Sequence, residues 1–160
     1  DAWNIDIKAF HPAYYQRFCG GNLAPVKDTV ARCVEAGCHV EITTLLVTGL
    51  NDDPEEIGAL ADWIAALSPS IPLHLSRYFP NYKMDLPPTS LQTLKAAKSI
   101  AQRKLNYVYI GNVGNAAEQS TYCPVCQQIL IRRLGYNIEM IGIEEENCRH
   151  CGAKMDLLLK

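Results

Sequence analysis

The chain has 160 residues, 48% of them apolar, and a formal net charge of −2, which fits one domain of ordinary size, or one plus a small appendage. That balance, with no block of Lys or Arg, argues against a nucleic-acid partner. No run approaches the ~18 apolar residues of a membrane span and no basic start leads into an apolar run, so a cytoplasmic protein is expected.

The sequence opens at Asp1, without Met, directly in strand-like residues, as a fragment of a longer protein would. A first strand is predicted over Ala2–Ala9. Its period of two puts Asn4, Asp6 and Lys8 on one face and Trp3, Ile5 and Ile7 on the other. Pro25 suits a first helical turn, with Val26, Val30, Cys33 and Val34 on one stripe and Gly37 as the stop. A second strand over His39–Val47 places His39, Glu41 and Thr43 opposite Val40, Ile42 and Thr44. Asp53-Pro54-Glu55-Glu56 combines a carboxylate cap with an acidic first turn. Ile57, Leu60, Ile64 and Leu67 then form the buried stripe, and Ser68-Pro69 ends the helix.

The third strand, Ile71–Phe79, groups His74, Ser76 and Tyr78 against Leu73, Leu75 and Arg77. Thr89 is expected to cap a helix that turns Leu91, Leu94, Ala97 and Ala101 inward, before a fourth strand over Tyr107–Val113. Strand and helix alternating in this way predict β-α-β units and a parallel sheet. The polar strand faces then either line a cavity for a polar ligand or form a solvated network of Asp6–Lys8 and His39–Glu41. His74 fits a ligand contact or a hydrogen-bonded core histidine, and Cys33 and Cys38 read as packing residues.

The pattern breaks near Ala116. Two domains are expected, 1–118 and 119–160, the second too small to rely on an apolar core alone. Its β-prone runs, Gln128–Arg132 and Tyr136–Ile143, lie between Cys123-x-x-Cys126 and Cys148-x-x-Cys151. Two such pairs let four thiolates meet one tetrahedral ion. Zinc is expected in a structural role, with an Fe(Cys)4 centre as the alternative metal site and a redox dithiol as the reading without metal. Gly152 follows the second pair, whereas Gln127 follows the first.

Taken in order, NIDIKAF, FCGGNLAPVKDTVARCVEAG, VEITTLLVTGLNDD, LHLSRYFPNYKM, YVYIGNV and YCPVC resemble the AmmeMemoRadiSam-system radical SAM enzymes, relatives of pyruvate formate-lyase activating enzyme. The resemblance implies an α/β fold, the C-terminal half of a partial (β/α) barrel, followed by a zinc-ribbon module. It implies an enzyme in which a [4Fe–4S] cluster, charged by a reductant, cleaves S-adenosylmethionine (SAM) to begin hydrogen abstraction from an unknown substrate, a protein being one option. Asp6 and Lys8 match the family's D-x-K strand in the cofactor region, and Thr43, Ser76 and Tyr78 share that polar side. Thr43 and Phe79 stand where the activating enzymes carry Arg and His. The family's C-x-x-x-C-x-x-C loop and its Gly-Gly-Glu segment do not occur in this sequence, so the chain alone is expected to be inactive. The competing expectation is a non-catalytic, metal-stabilised binding module whose ribbon contacts a protein or nucleic acid.

Overall fold

A computed structural model describes residues 1–157. The chain divides into two compact units, Asp1–Asn112 and Val113–Lys160.

The first unit contains β1 (Ala2–Asp6), α1 (Pro12–Tyr14), which runs on into a π-helical turn at Tyr15–Cys19, α2 (Leu23–Glu35), β2 (His39–Leu46), α3 (Pro54–Leu67), β3 (Leu73–Arg77), α4 (Leu91–Ala101) and β4 (Val108–Gly111). The four strands pair in parallel in the order β1-β2-β3-β4. Each crossover between neighbours carries a helix, as a parallel pair requires. Val40, Ile42, Leu46, Leu73, Leu75, Val108 and Ile110 bury one sheet face with Val30, Ile57, Leu60, Ile64, Leu94 and Ala97 of the helices. At about 25 cal/mol per Å² this apolar burial is the main force holding the unit together. The other face is only half buried.

Local signals set the helix boundaries. Pro54 opens α3, and the Asp53 carboxylate accepts the Glu55 and Glu56 amides at 2.8 and 3.3 Å. Ser90, one residue beyond the expected Thr89, caps α4 by accepting the Thr93 amide at 3.0 Å. Thr89 is instead fully buried and donates its hydroxyl to the Leu46 carbonyl. Leu91, expected inward, is 48% exposed because it falls in the first turn, before the helix meets the core. Trp3 is 56% exposed and Ile7 fully buried. Among the described residues β1 has only β2 beside it, so its start lies at the sheet margin.

The second unit has a short helix α5 (Ala116–Gln119), a three-stranded antiparallel sheet of β5 (Thr121–Tyr122), β6 (Ile129–Leu134) and β7 (Asn137–Met140), and a small pair of β8 (Ile143–Glu144) and β9 (Asn147–Cys148). The expected run Tyr136–Ile143 is broken at Ile141-Gly142, whose amides both donate to the Leu130 carbonyl at 3.0 Å. A Cβ on Gly142 would lie 2.2 Å from the Ile129 carbonyl oxygen, so only glycine fits. The buried core consists of Cys123, Leu130, Ile131, Cys148 and Met155. Two of these five are candidate metal ligands. Among the described residues no helix is long and apolar enough to cross a membrane.

Candidate metal centre and polar strand face

Cys123, Cys126, Cys148 and Cys151 converge, with their sulfur atoms all within 4.8 Å of one another. Cys123 and Cys151 Sγ are 3.7 Å apart, and Cys126 and Cys148 Sγ are 3.6 Å apart. Two matching turns produce this. The Gln127 amide donates to the Cys123 carbonyl at 2.9 Å, and the Gly152 amide to the Cys148 carbonyl at 2.8 Å. Each turn needs a left-handed residue, which Gly152 supplies at φ 73° and Gln127 at φ 59°. A side chain pays a steric cost there that glycine does not. Desolvation pushes the Cys148 thiol up, but the amides of His150 and Cys151 and the neighbouring thiols outweigh it, leaving it lowered to about 7. Four soft donors at this spacing fit one tetrahedral ion.

The polar strand face forms successive rows. Asp6, Thr43, His74 and Tyr109 are register partners across all four strands, with Asn4 beside Glu41 in the row before and Leu45, Ser76 and Gly111 in the row after. Lys8 Nζ meets Asp6 Oδ2 at 2.8 Å, both side chains about half exposed. Thr43 donates its hydroxyl to Asn4 Oδ1 at 3.0 Å. Glu41 bridges His74 at 3.0 Å and His39 at 3.4 Å, while the His74 ring stacks on Tyr109 with centroids 5.1 Å apart. The hydrogen bond from His74 leads the effects that hold the Glu41 carboxyl down at about 2, with desolvation opposing.

Asp6, Thr43 and Ser76 therefore share one face, and Lys8 is tied to Asp6. Tyr78 stands apart. β3 ends at Arg77, so strand alternation does not reach it. It is buried, with its hydroxyl donating to the Met84 carbonyl at 2.9 Å. Tyr78 borders a cleft at the strand ends that the other four do not line.

Three side chains not anticipated from sequence organise those strand ends. Asn51, 2% exposed, accepts the Val47 amide at 2.7 Å and donates to the Lys8 and Leu45 carbonyls at 2.7 and 2.9 Å. Arg77 Nε donates to the Thr89 carbonyl at 2.8 Å. Asn112 donates to the Arg77 carbonyl at 3.1 Å. For Asn51 and Asn112 a polar residue past a strand end was the available signal, and it is shared with any turn.

No known protein-family model matches the chain. An uncharacterized protein of Methanocaldococcus jannaschii is 38% identical over 164 residues, covering 99% of this chain and 49% of that protein. The chain thus spans about half the length of the curated relative it matches. The crystal structure of a domain of pyruvate-formate lyase-activating enzyme from Bacteroides vulgatus superposes with a TM-score of 0.60 at 26% identity, covering 69% of this chain and 67% of that one. The chain shares its fold with an activating-enzyme domain. The likeness combines with a parallel sheet whose polar face is half open and a quartet of cysteines able to hold a metal.

Proposed function

We propose that the chain is the C-terminal half of a radical SAM enzyme of the activating-enzyme type, a partial barrel over 1–118 followed by a zinc-ribbon-like module over 119–160. The observation that carries this is the likeness to the pyruvate-formate lyase-activating enzyme domain, joined to the Asp-x-Lys pair at the end of β1. In such enzymes SAM and a [4Fe–4S] cluster together supply the radical that abstracts hydrogen from substrate. This chain's residues do not fit the cluster. Its seven cysteines contain no C-x-x-x-C-x-x-C, and the quartet thiols face one another. The cluster ligands therefore belong to another part of the full-length protein.

What this chain contributes is the cofactor-facing wall. Lys8 offers ammonium donors to a carboxylate or hydroxyl, and Asp6 holds it in place. Thr43 and Ser76 present hydroxyls from neighbouring rows, and Tyr78 stands at the rim. Zinc at the quartet fastens a module whose own core is slight. The protein is cytoplasmic on this reading, takes electrons from a reductant, and acts on a substrate that is a small molecule or a protein. The test is reconstitution of the full-length protein under reducing conditions. Release of 5′-deoxyadenosine, absent from the 160-residue chain, is expected; a cluster-loaded full-length protein that neither binds nor cleaves SAM overturns the proposal.

The second reading, a non-catalytic binding module, draws on the exposed Tyr136, Ile138 and Met140 of the ribbon. It predicts a full-length protein indifferent to SAM that loses its protein partner when these three are changed to Ser.

A further inference from the structure

At the C-terminal ends of β2, β3 and β4 lies an open cleft of about 620 Å³. Leu45 and Val47 contribute its apolar floor, Phe79 and Tyr82 its flat walls, and Arg77 and Lys83 its only charges. No carboxylate lines it. Among the described residues neither cation pairs with a carboxylate elsewhere. Two unpaired positive charges over aromatic surface make a site that selects by charge and by shape together.

Arg77 is oriented rather than loose. Its Nε–H is committed to the Thr89 carbonyl at 2.8 Å, and its guanidinium lies 4.7 Å from the centre of the Phe79 ring. Thr89 is itself fully buried and fixed to β2 through the Leu46 carbonyl. Anchoring at Nε leaves the two terminal nitrogens as a fork, the arrangement that takes an oxyanion in two parallel hydrogen bonds. Lys83 sits on a tight turn closed by the Asn81–Met84 bridge, its ammonium 5.2 Å from the Tyr82 ring. The backbone is strained here. Among the described residues four non-glycines adopt left-handed φ, and two of them, Tyr82 at 55° and Asn112 at 58°, line this cleft. Strain of this kind gathers at ligand clamps, where surrounding structure over-determines the conformation.

We propose that this cleft binds an oxyanion, carboxylate or phosphate, carried on a flat apolar body. The oxyanion meets the Arg77 fork and Lys83, and the body lies against Phe79 and Tyr82. Taken as the substrate class of the enzyme reading above, the proposal rests on that reading, while the binding itself requires neither SAM nor a cluster. The experiment is an amide NMR titration of the 160-residue chain with phenylphosphate and benzoate, with benzyl alcohol as the uncharged match. Saturable shifts confined to residues 77–84 and 112 are expected with at least one anion, the stronger naming the head group, and none with benzyl alcohol. The surface change Lys83→Gln should weaken binding about tenfold, the loss of one charge-assisted hydrogen bond, and Arg77→Gln, which removes both bonds of the fork, should weaken it more. Equal response to benzyl alcohol, no saturable response, or full affinity in Lys83→Gln and in a folded Arg77→Gln overturns the proposal. Displacement of the probe by SAM overturns the substrate assignment, because the cleft would then be the cofactor's. Probe binding that persists while the full-length protein fails to bind SAM strikes the proposed function instead and leaves the anion site standing.

Discussion

Replacing Asn51 with Ala removes three hydrogen bonds at once, from the Val47 amide and to the Lys8 and Leu45 carbonyls. With Asn51 only 2% exposed, water does not readily take its place. At a net value of about 1 kcal/mol per bond, rising where a partner is left buried and unpaired, the loss is about 3–5 kcal/mol. Asn51→Asp keeps the acceptor for the Val47 amide but sets a carboxylate against two carbonyl oxygens, so it should be at least as damaging. Both tryptophans of the chain, Trp3 and Trp63, lie in the first unit, so their fluorescence in urea reports this unit alone. A slope of about 1–1.5 kcal/mol per molar urea, reasonable for a small unit, turns that loss into a midpoint shift of about 2–5 M, enough to leave the Ala variant scarcely folded in buffer. A loss below about 1 kcal/mol with an unchanged slope would refute the view that this side chain joins the ends of β1 and β2.

The quartet should hold one zinc or iron ion per chain; chelation should melt the residues after Ser120 and leave tryptophan fluorescence unchanged, and metal-free reduced protein that stays folded would refute it. Glu41 has its folded pKa lowered to about 2, chiefly by the hydrogen bond from His74. Its contribution is therefore complete above its ordinary pKa of 4.5 and fades as pH falls towards 2. Because the side chain is 36% exposed, screening limits the effect to about 1–2 kcal/mol, and Glu41→Gln should flatten the acid slope of stability in that window. Gln127→Gly relieves a left-handed φ of 59° and should stabilise the second unit by about 1 kcal/mol, read as greater resistance to chelator. Gly142→Ala drives a methyl into the Ile129 carbonyl and should cost about 3 kcal/mol or more, seen as loss of the dispersed amide spectrum of residues 120–157.

Much of the first unit could be read in advance because its signals are local and periodic. Alternation along His39–Thr44 assigned each residue to its observed face, and Asp53-Pro54 marked the start of α3 to the residue. The cysteine pairs were legible for the same reason: a two-residue spacer dictates the turn. The failures share a different cause. Thr89 looked like a cap because caps are chosen by residue type, yet the neighbouring Ser90 was free to serve while Thr89 met a carbonyl 43 residues earlier in the chain. Tyr78 was assigned by carrying alternation one residue past the end of β3. Arg77 read as one of a face with Leu73 and Leu75, whereas its role depends on Phe79 and Thr89 being folded around it. No pattern within a strand encodes contacts made beyond its end.

Asn51, Thr89 and Asn112 between them take up the carbonyls of Lys8, Leu45, Leu46 and Arg77. Those carbonyls at the sheet margin are thus taken up by three loop side chains. This separates two tasks that many folds assign to the same backbone. Among the described residues the tip at Asn81–Lys83, which the proposed anion site would use for recognition, makes no hydrogen bond to any strand. It can be lengthened, shortened or exchanged between relatives while the scaffold beneath stays closed, so new ligand preferences in this lineage should arise at that tip, with Asn51 and Thr89 left untouched.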